Sequence, residues 1–443
     1  SFITTPIFTR LMGTADYGIV SNFTIWVHIF AIFICLQVSS GLLPAKVNYA
    51  TTRFHSYMKS IIIFGTIVAL LEISIVLLCS KTIAEWIKLD VKIIPLLCIA
   101  SFGTAITNIC TSYFVATNSP KNKAIFSIIT ASLTIGFGLL FVFLMSNKGV
   151  GRIIGYCVSN AFIIIFGFIV FFRKPNPTKE QFQGDIKYAL AYGVPLIPHL
   201  LANLVNGSAD RVFIIRILGE SQAGIYSVAY SIGQIGLVLA SACADAWNPW
   251  YFHQTKKGTK QSISQYFRLY SLTIGMCFVG IMFLAPDVMK IMAPSEYWTG
   301  TRCILFVALG IFFLFMYRFP LGYEQFMSNT KFIAPTTVLA AVINIGLNAL
   351  LIPKYGIIAA ALTTTLSYIV LWLSHELVAR RFIKGYNIGM KHYLLPMITV
   401  ISGFVISNIL LNHSYLRFCV LAAYCIAYLF VVRALVNKQI MRK

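Results

Sequence analysis

The sequence predicts an all-α polytopic membrane protein: two six-helix lobes related as parallel repeats, plus a C-terminal helix pair. Three observations predict it. First, 58% of the 443 residues are apolar and 11% are charged, against about 25% charged in an ordinary soluble domain. The mean hydropathy is +0.81, and a water-soluble globule of this size cannot hide so much apolar surface. Second, apolar runs recur at lengths that cross roughly 30 Å of hydrocarbon as helices. Third, helix-end patterns repeat in the same order halfway along the chain. The same composition excludes disordered, fibrous and disulfide-scaffold classes.

In chain order, the runs cover a fragment at about 1–9, then 17–43, 59–80, 93–115, 124–145 and 153–172. After a polar linker come 188–209, 223–250, 268–292, 303–323, 332–352, 356–378, 393–411 and 415–436. Long continuous runs that hold Gly and Pro fit helices, whereas barrel strands alternate over about ten residues. The expectation is thirteen whole spans and one partial, or fourteen helices in the parent chain, its first one truncated here. The expected organisation is an N-lobe at 1–172 (helices 1–6), a cytoplasmic linker at 173–187, and a C-lobe at 188–381 (helices 7–12). The additional pair 13–14 and a cytoplasmic tail then occupy 382–443.

The net charge is +22. In a soluble protein that would suggest nucleic acid, but here Lys and Arg sit in short connectors, where they set topology. With the N-terminus inside, inner connectors hold 22 of the 35 basic residues and outer connectors 12. The remaining one, Arg318, lies within a span. Both termini are therefore expected in the cytoplasm, and no nucleic-acid partner is expected. The ten cysteines form no CxxC pair and read as small buried hydrophobes. No metal site and no cofactor is expected beyond a proton or sodium gradient.

The repeat pairs Arg10-Leu11-Met12-Gly13 and Gly18-Ile19-Val20-Ser21 with Arg216-Ile217-Leu218-Gly219 and Gly224-Ile225-Tyr226-Ser227, at an offset of 206. A second match, at offset 210, pairs Tyr113, Lys121, Ala131 and Gly136 with Tyr323, Lys331, Ala341 and Gly346. Six helices per repeat is an even number, so both halves enter from one side, as in transporters that rock one half against the other. The same offset places the start of the first helix roughly eighteen residues before residue 1.

At these residues the chain resembles a known family. Pro6-Ile7-Phe8-Thr9-Arg10-Leu11-Met12-Gly13 with Asp16-Tyr17-Gly18 resembles the start of bacterial polysaccharide exporters. So do Tyr192-Gly193-Val194-Pro195-Leu196 and Asp210-Arg211, and Leu351-Ile352-Pro353-Lys354-Tyr355-Gly356 resembles the eleventh–twelfth helix turn of the same group. These exporters are the Wzx-type O-antigen and capsule repeat-unit flippases of the multidrug/oligosaccharidyl-lipid/polysaccharide exporter superfamily. The resemblance implies a transporter, not an enzyme, that moves an undecaprenyl-diphosphate-linked oligosaccharide from the cytoplasmic to the periplasmic leaflet. Partners implied are that lipid-linked substrate, the bilayer, and polysaccharide polymerase and chain-length proteins.

Intramembrane charge costs about 2.5–3.5 kcal/mol at the helix centre, so each such residue needs a partner or a wet cavity. The candidates are Glu72, Asp245, Arg318, Asp210 and Arg211, with His28 inside the second span. Asp245 and Arg318 fall in the inner parts of their spans and are placed to pair. His199, Asn203, Asn206 and Asp210 are spaced 4, 3 and 4 apart, which puts them on one helical face. That stripe reads either as water-facing or as interhelical glue at about 0.6 kcal/mol per bond. Arg318, Arg10, Arg211 and Arg216 are the candidate cations for a diphosphate, since a guanidinium offers multidentate contact. Asp210, at the end of the stripe, is the candidate coupling acid, with Glu72 and Asp245 in reserve.

Near-matches to soluble-enzyme signatures fail. Gly149-Val150-Gly151 precedes Gly155 one residue too late for a dinucleotide loop, and His375-Glu376 lacks the second His of a zinc protease. There is no Walker loop. Three other readings stand beside the flippase: a cation-coupled drug antiporter of the same superfamily, a lipid II flippase, and a non-transporting membrane scaffold.

Overall fold

A computed structural model describes the backbone of residues 4–256, 260–327, 330–383, 385–386 and 388–440. Every regular element among them is helical. Twelve helical stretches are long and apolar enough to cross a bilayer.

The chain opens with the short α1 (Thr5–Leu11) and α2 (Thr14–Ile34). The predicted run 17–43 does not continue as one helix. Leu36 and Gln37 take positive φ, and the chain restarts as α3 (Leu42–Asn48). Then come α4 (Thr51–Leu78), α5 (Ser80–Ile87), α6 (Ile94–Ala116), α7 (Pro120–Leu144) and α8 (Lys148–Phe172). Pro120 begins α7 where its missing N–H costs nothing. The Asn147 side chain accepts from the Val150 N–H at 2.9 Å to start α8.

The predicted linker 173–187 is largely helix. Thr178 and Gln181 exchange hydrogen bonds at 3.2 and 3.1 Å, a reciprocal cap that starts α9 (Lys179–Gly193) inside it. Pro195 sits in a tight turn at Val194–Leu196, after which α10 (Ile197–Leu218) carries the predicted stripe. The next run is also broken, into α11 (Glu220–Gly233) and α12 (Ile235–Lys256). Then follow α13 (Lys260–Met292), α14 (Thr301–Met316) and α15 (Arg318–Phe326).

The 49-residue α16 (Ile333–Arg381) is a hairpin. Gly356 has φ 66° and ψ −149°, a backbone that favours glycine. The cross-pairs Thr336–His375 and Asn348–Thr363 nest around it, so its two arms run antiparallel. The arms match the predicted runs 332–352 and 356–378. Finally come α17 (Lys391–Ile409) and α18 (Ser414–Ile440).

The chain divides into two compact units. The N-terminal unit holds residues 11–208 and 219–221. Its core packs Phe54, Tyr57 and Ile61 of α4 against Ile106 and Ile109 of α6. Helices α7 and α8 approach so closely that a Cβ on Gly155 would lie 2.4 Å from the Phe137 carbonyl oxygen. Gly151, one turn away, meets the Phe141 carbonyl at 2.5 Å in the same sense. Such small-residue contacts let membrane helices pack backbone to backbone. Asp16 of the opening motif ties two helix starts together, accepting from Gly13 N–H at 3.3 Å and Gly149 N–H at 3.0 Å.

The C-terminal unit holds residues 1–10, 209–218 and 222–443. The start of the chain belongs to it because the Thr9 hydroxyl donates to the Met292 carbonyl at 2.7 Å. The closing helix α18 is anchored by Arg417. This buried guanidinium donates to the Phe283 carbonyl at 2.5 Å and meets Asp287 at 3.0 Å. Leu71, Ile128, Phe143 and Phe430 are all exposed. An exterior of that kind suits hydrocarbon as solvent.

Candidate functional site

The strongest polar site among the described residues gathers around Asp210 in the C-terminal unit. Its carboxyl is 1% exposed. One oxygen, Oδ2, accepts from the Tyr226 hydroxyl of α11 and from the Thr364 hydroxyl of α16 at 3.2 Å. The other, Oδ1, accepts from the Arg211 backbone N–H at 2.8 Å. The guanidinium of Arg211 does not clamp the acid. Its Nε stands 4.0 Å from Oδ1, and its plane is drawn over the Tyr230 ring at 4.4 Å.

Sequence neighbours extend the cluster. Thr363, next to Thr364, donates to the Asn348 side-chain oxygen. Asn348 donates in turn to Asn344 at 2.9 Å. All of these side chains are buried. The Asp210 carboxyl thus meets hydroxyls of α11 and α16, and a separate amide–hydroxyl chain joins the two arms of α16. Oxygen sets of this kind suit hard cations and protons rather than soft metals. No group of three His, Cys, Asp or Glu side chains among the described residues is arranged for a metal.

The remaining stripe residues differ among themselves. His199 and Asn203 meet at 3.0 Å, with Asn203 exposed and Asn206 buried. The predicted face is therefore real as helix geometry but uneven in exposure. Arg10 donates to the Pro6 carbonyl at 2.9 Å and the Ile291 carbonyl at 2.8 Å. It thereby caps the C-terminal end of α13, where cations are favoured. Arg216 is exposed near the end of α10. Arg318 begins α15, is half-buried, and donates to the Ser241 hydroxyl at 3.1 Å. The side chain of its expected partner Asp245 lies outside the described residues. Glu72 is half-buried two turns before the end of α4, close to the Cys35 thiol. His28 is exposed.

Several charged contacts escaped sequence reasoning. In the N-terminal unit, Arg53 of α4 forks onto Asp185 of α9, which also accepts from Ser60 at 2.6 Å. In the C-terminal unit, Glu376 meets Arg380 and accepts from Tyr393 at 2.9 Å and Tyr386 at 3.1 Å. Glu324 meets His375 at 2.8 Å. Only Glu376–Arg380, at i,i+4, leaves a local signal in the sequence.

The fold is that of a multi-pass helical membrane protein with a buried polar cluster. A similar fold is seen in lipid II flippase MurJ, inward closed, at a TM-score of 0.71 and 15% identity over 99% of this chain and 97% of that one. An inward-facing multidrug-resistance MATE transporter of the MOP superfamily superposes at 0.68 and 14% identity, over 86% of this chain and 93% of its own. The chain belongs to the polysaccharide biosynthesis protein family, whose pattern matches residues 1–254. Among curated relatives, Lsg locus putative protein 1 of Haemophilus influenzae is 22% identical over 353 residues, 77% of this chain and 84% of that protein. The probable low-salt glycan biosynthesis flippase Agl15 of Haloferax volcanii is 27% identical over 181 residues, 40% of this chain and 38% of that one. The family match and the shared fold agree with the resemblance that the helix-end motifs carry.

Proposed function

We propose that the chain moves an undecaprenyl-diphosphate-linked oligosaccharide repeat unit from the cytoplasmic to the periplasmic leaflet by alternating access. The observation that carries the reading is membership of the polysaccharide biosynthesis family on a flippase and exporter fold. The setting is a bacterial inner membrane with both termini cytoplasmic, beside the polymerase and chain-length proteins that consume the product. Arg318 is the cation that meets the diphosphate, because its half-buried guanidinium lies inside a span, where no lipid headgroup competes.

Coupling falls to Asp210. Moving one charge through 100 mV supplies about 2.3 kcal/mol, a bias of nearly fiftyfold. An acid that exchanges an ion must not be locked to a permanent counter-charge, and Arg211 stands off Asp210 at 4.0 Å with its face on Tyr230. Thr364 brings a hydroxyl to it, and the Asn344–Asn348–Thr363 chain lies on the same hairpin.

The test of the substrate is deletion in the native host. Lipid-linked repeat units should accumulate on the cytoplasmic leaflet and surface glycan should be lost; unchanged surface glycan would sink the reading. The test of coupling is reconstitution in vesicles with an imposed sodium or proton gradient. Asp210→Asn should flip substrate downhill while losing the response to one gradient. Equal rates and equal responses to both gradients remove Asp210 from coupling.

A further inference from the structure

A second buried acid in the C-terminal unit has no part in the Asp210 cluster. Glu324 of α15 and His375 of α16 are both 0% exposed, and Oε1 of the acid lies 2.8 Å from Nδ1 of the ring. On the far side of the ring, Nε2 lies 2.9 Å from the Thr336 hydroxyl. That hydroxyl also lies 2.8 Å from the Phe332 carbonyl and 3.0 Å from the Ile333 carbonyl. The other carboxyl oxygen, Oε2, is buried and has no hydrogen-bond partner among the described residues.

The hydrogens can be assigned by counting. Nδ1 and Oε1 both carry lone pairs, so their contact at 2.8 Å requires a proton between them. Thr336 has one hydroxyl proton and two ways to spend it. Turned to a main-chain carbonyl, it leaves its oxygen to accept from Nε2–H, and the dyad then holds two protons and no net charge. Turned to Nε2, it requires that nitrogen to be bare, and the dyad then holds one proton and a net negative charge. The two states differ by the single proton on Nε2, and the Thr336 hydroxyl exchanges its carbonyl acceptor for that nitrogen. A net negative charge in this dry position, with Oε2 unpartnered, is costly. Unloading therefore needs water or a cation to reach Oε2.

We propose that Glu324, His375 and Thr336 form an exchangeable proton site, in which rotation of the Thr336 hydroxyl accompanies loss of the Nε2 proton. As a coupling device, the site rests on the transport reading given above; as a proton site, it does not. Other charged and titratable groups on the surrounding elements are the Tyr317 phenol, Arg318 on α15, Lys331 before α16, and Glu376 with Arg380. The Tyr317 ring lies 5.2 Å from the His375 ring. Glu376 is already engaged by Arg380, Tyr386 and Tyr393. Arg318 shares the nine-residue α15 with Glu324, so a change in dyad charge falls on the helix that bears the candidate diphosphate contact.

Infrared difference spectroscopy of the full chain in lipid nanodiscs, between about pH 5 and about pH 9, reads the site without any transport substrate. The wild type should show a buried carboxyl–imidazole signal that Glu324→Gln and His375→Gln each abolish. Thr336→Val, which keeps shape but not the hydroxyl, should displace the signal, whereas Thr336→Ser and Asp210→Asn should leave it in place. An identical signal in wild type and Glu324→Gln overturns the proposal, as does one insensitive to both Thr336→Val and His375→Gln. Flipping of a fluorescent undecaprenyl-diphosphate sugar in the same preparation is scored separately. Failure of the wild type to flip it bears on the transport reading and leaves the infrared result standing.

Discussion

Asp185→Ala tests how the helix that leads into the second half is held. Asp185 is 0% exposed on α9, and it receives the Arg53 fork and the Ser60 hydroxyl of α4. Truncation strands a guanidinium that is 25% exposed and leaves Ser60 without its acceptor. Removing one partner of a buried ion pair costs about 3–5 kcal/mol. Because Arg53 reaches some water and stacks on Tyr49 at 4.8 Å, the lower figure applies. A cost of about 3 kcal/mol is on the order of a hundredfold in a local opening equilibrium. Hydrogen exchange should therefore show the amides of 179–193 losing protection by about that factor, with α7 and α8 unaffected. The double variant Arg53→Met with Asp185→Leu should recover much of the loss, since a packed apolar pair replaces a buried ionic one at little cost. Unchanged protection in Asp185→Ala, or a double variant worse than the single one, would refute the clamp.

Gly155→Leu should abolish folded protein in the membrane, because any Cβ there meets the Phe137 carbonyl oxygen at 2.4 Å; fluorescence-detected gel filtration reports it. Arg318→Gln should eliminate surface glycan while inserting normally, and full export by that variant would remove Arg318 from the mechanism. Tyr226→Phe, which deletes one donor to Asp210, should cost about 1–3 kcal/mol in stability and weaken the ion response of vesicle transport without abolishing it.

The spans were legible because crossing a bilayer demands length and apolarity, and both are local properties of sequence. The hairpin arms of α16 were legible for the same reason, with Pro353 and Gly356 marking the turn. The start of α9 was legible too, in Thr178 and Gln181 three apart, but a polar run before a predicted span draws the eye as a linker. The break at Tyr317 between α14 and α15 has no local marker before Pro320. The charged contacts were hidden by distance along the chain. Arg53 and Asp185 are 132 residues apart, and Glu324 and His375 are 51 apart. Helical spacing reveals only neighbours at three and four. The stripe on α10 shows the limit of such spacing: it puts four polar residues on one face and says nothing of which of them is covered.

The buried acids sort by what they are paired with, and the sorting bears on mechanism. Asp185 is forked by Arg53 and Glu376 meets Arg380, while the half-buried Asp287 meets the buried Arg417. Arginine keeps its charge at any physiological pH, so neutralising one of these acids would strand a cation in a poorly hydrated place. Their occupancy is tied to the fold. Asp210 and Glu324 differ because their close contacts are hydroxyls, a backbone N–H and an imidazole. Hydroxyls rotate and imidazole gains or loses a proton, and the Arg211 guanidinium beside Asp210 keeps its contact with the Tyr230 ring at 4.4 Å. The two also differ from each other. Asp210 sits among oxygens, an arrangement open to a hard cation, whereas Glu324 faces a ring nitrogen, which selects a proton. Under the proposed coupling, an ion gradient acts on these two acids rather than on Asp185 and Glu376.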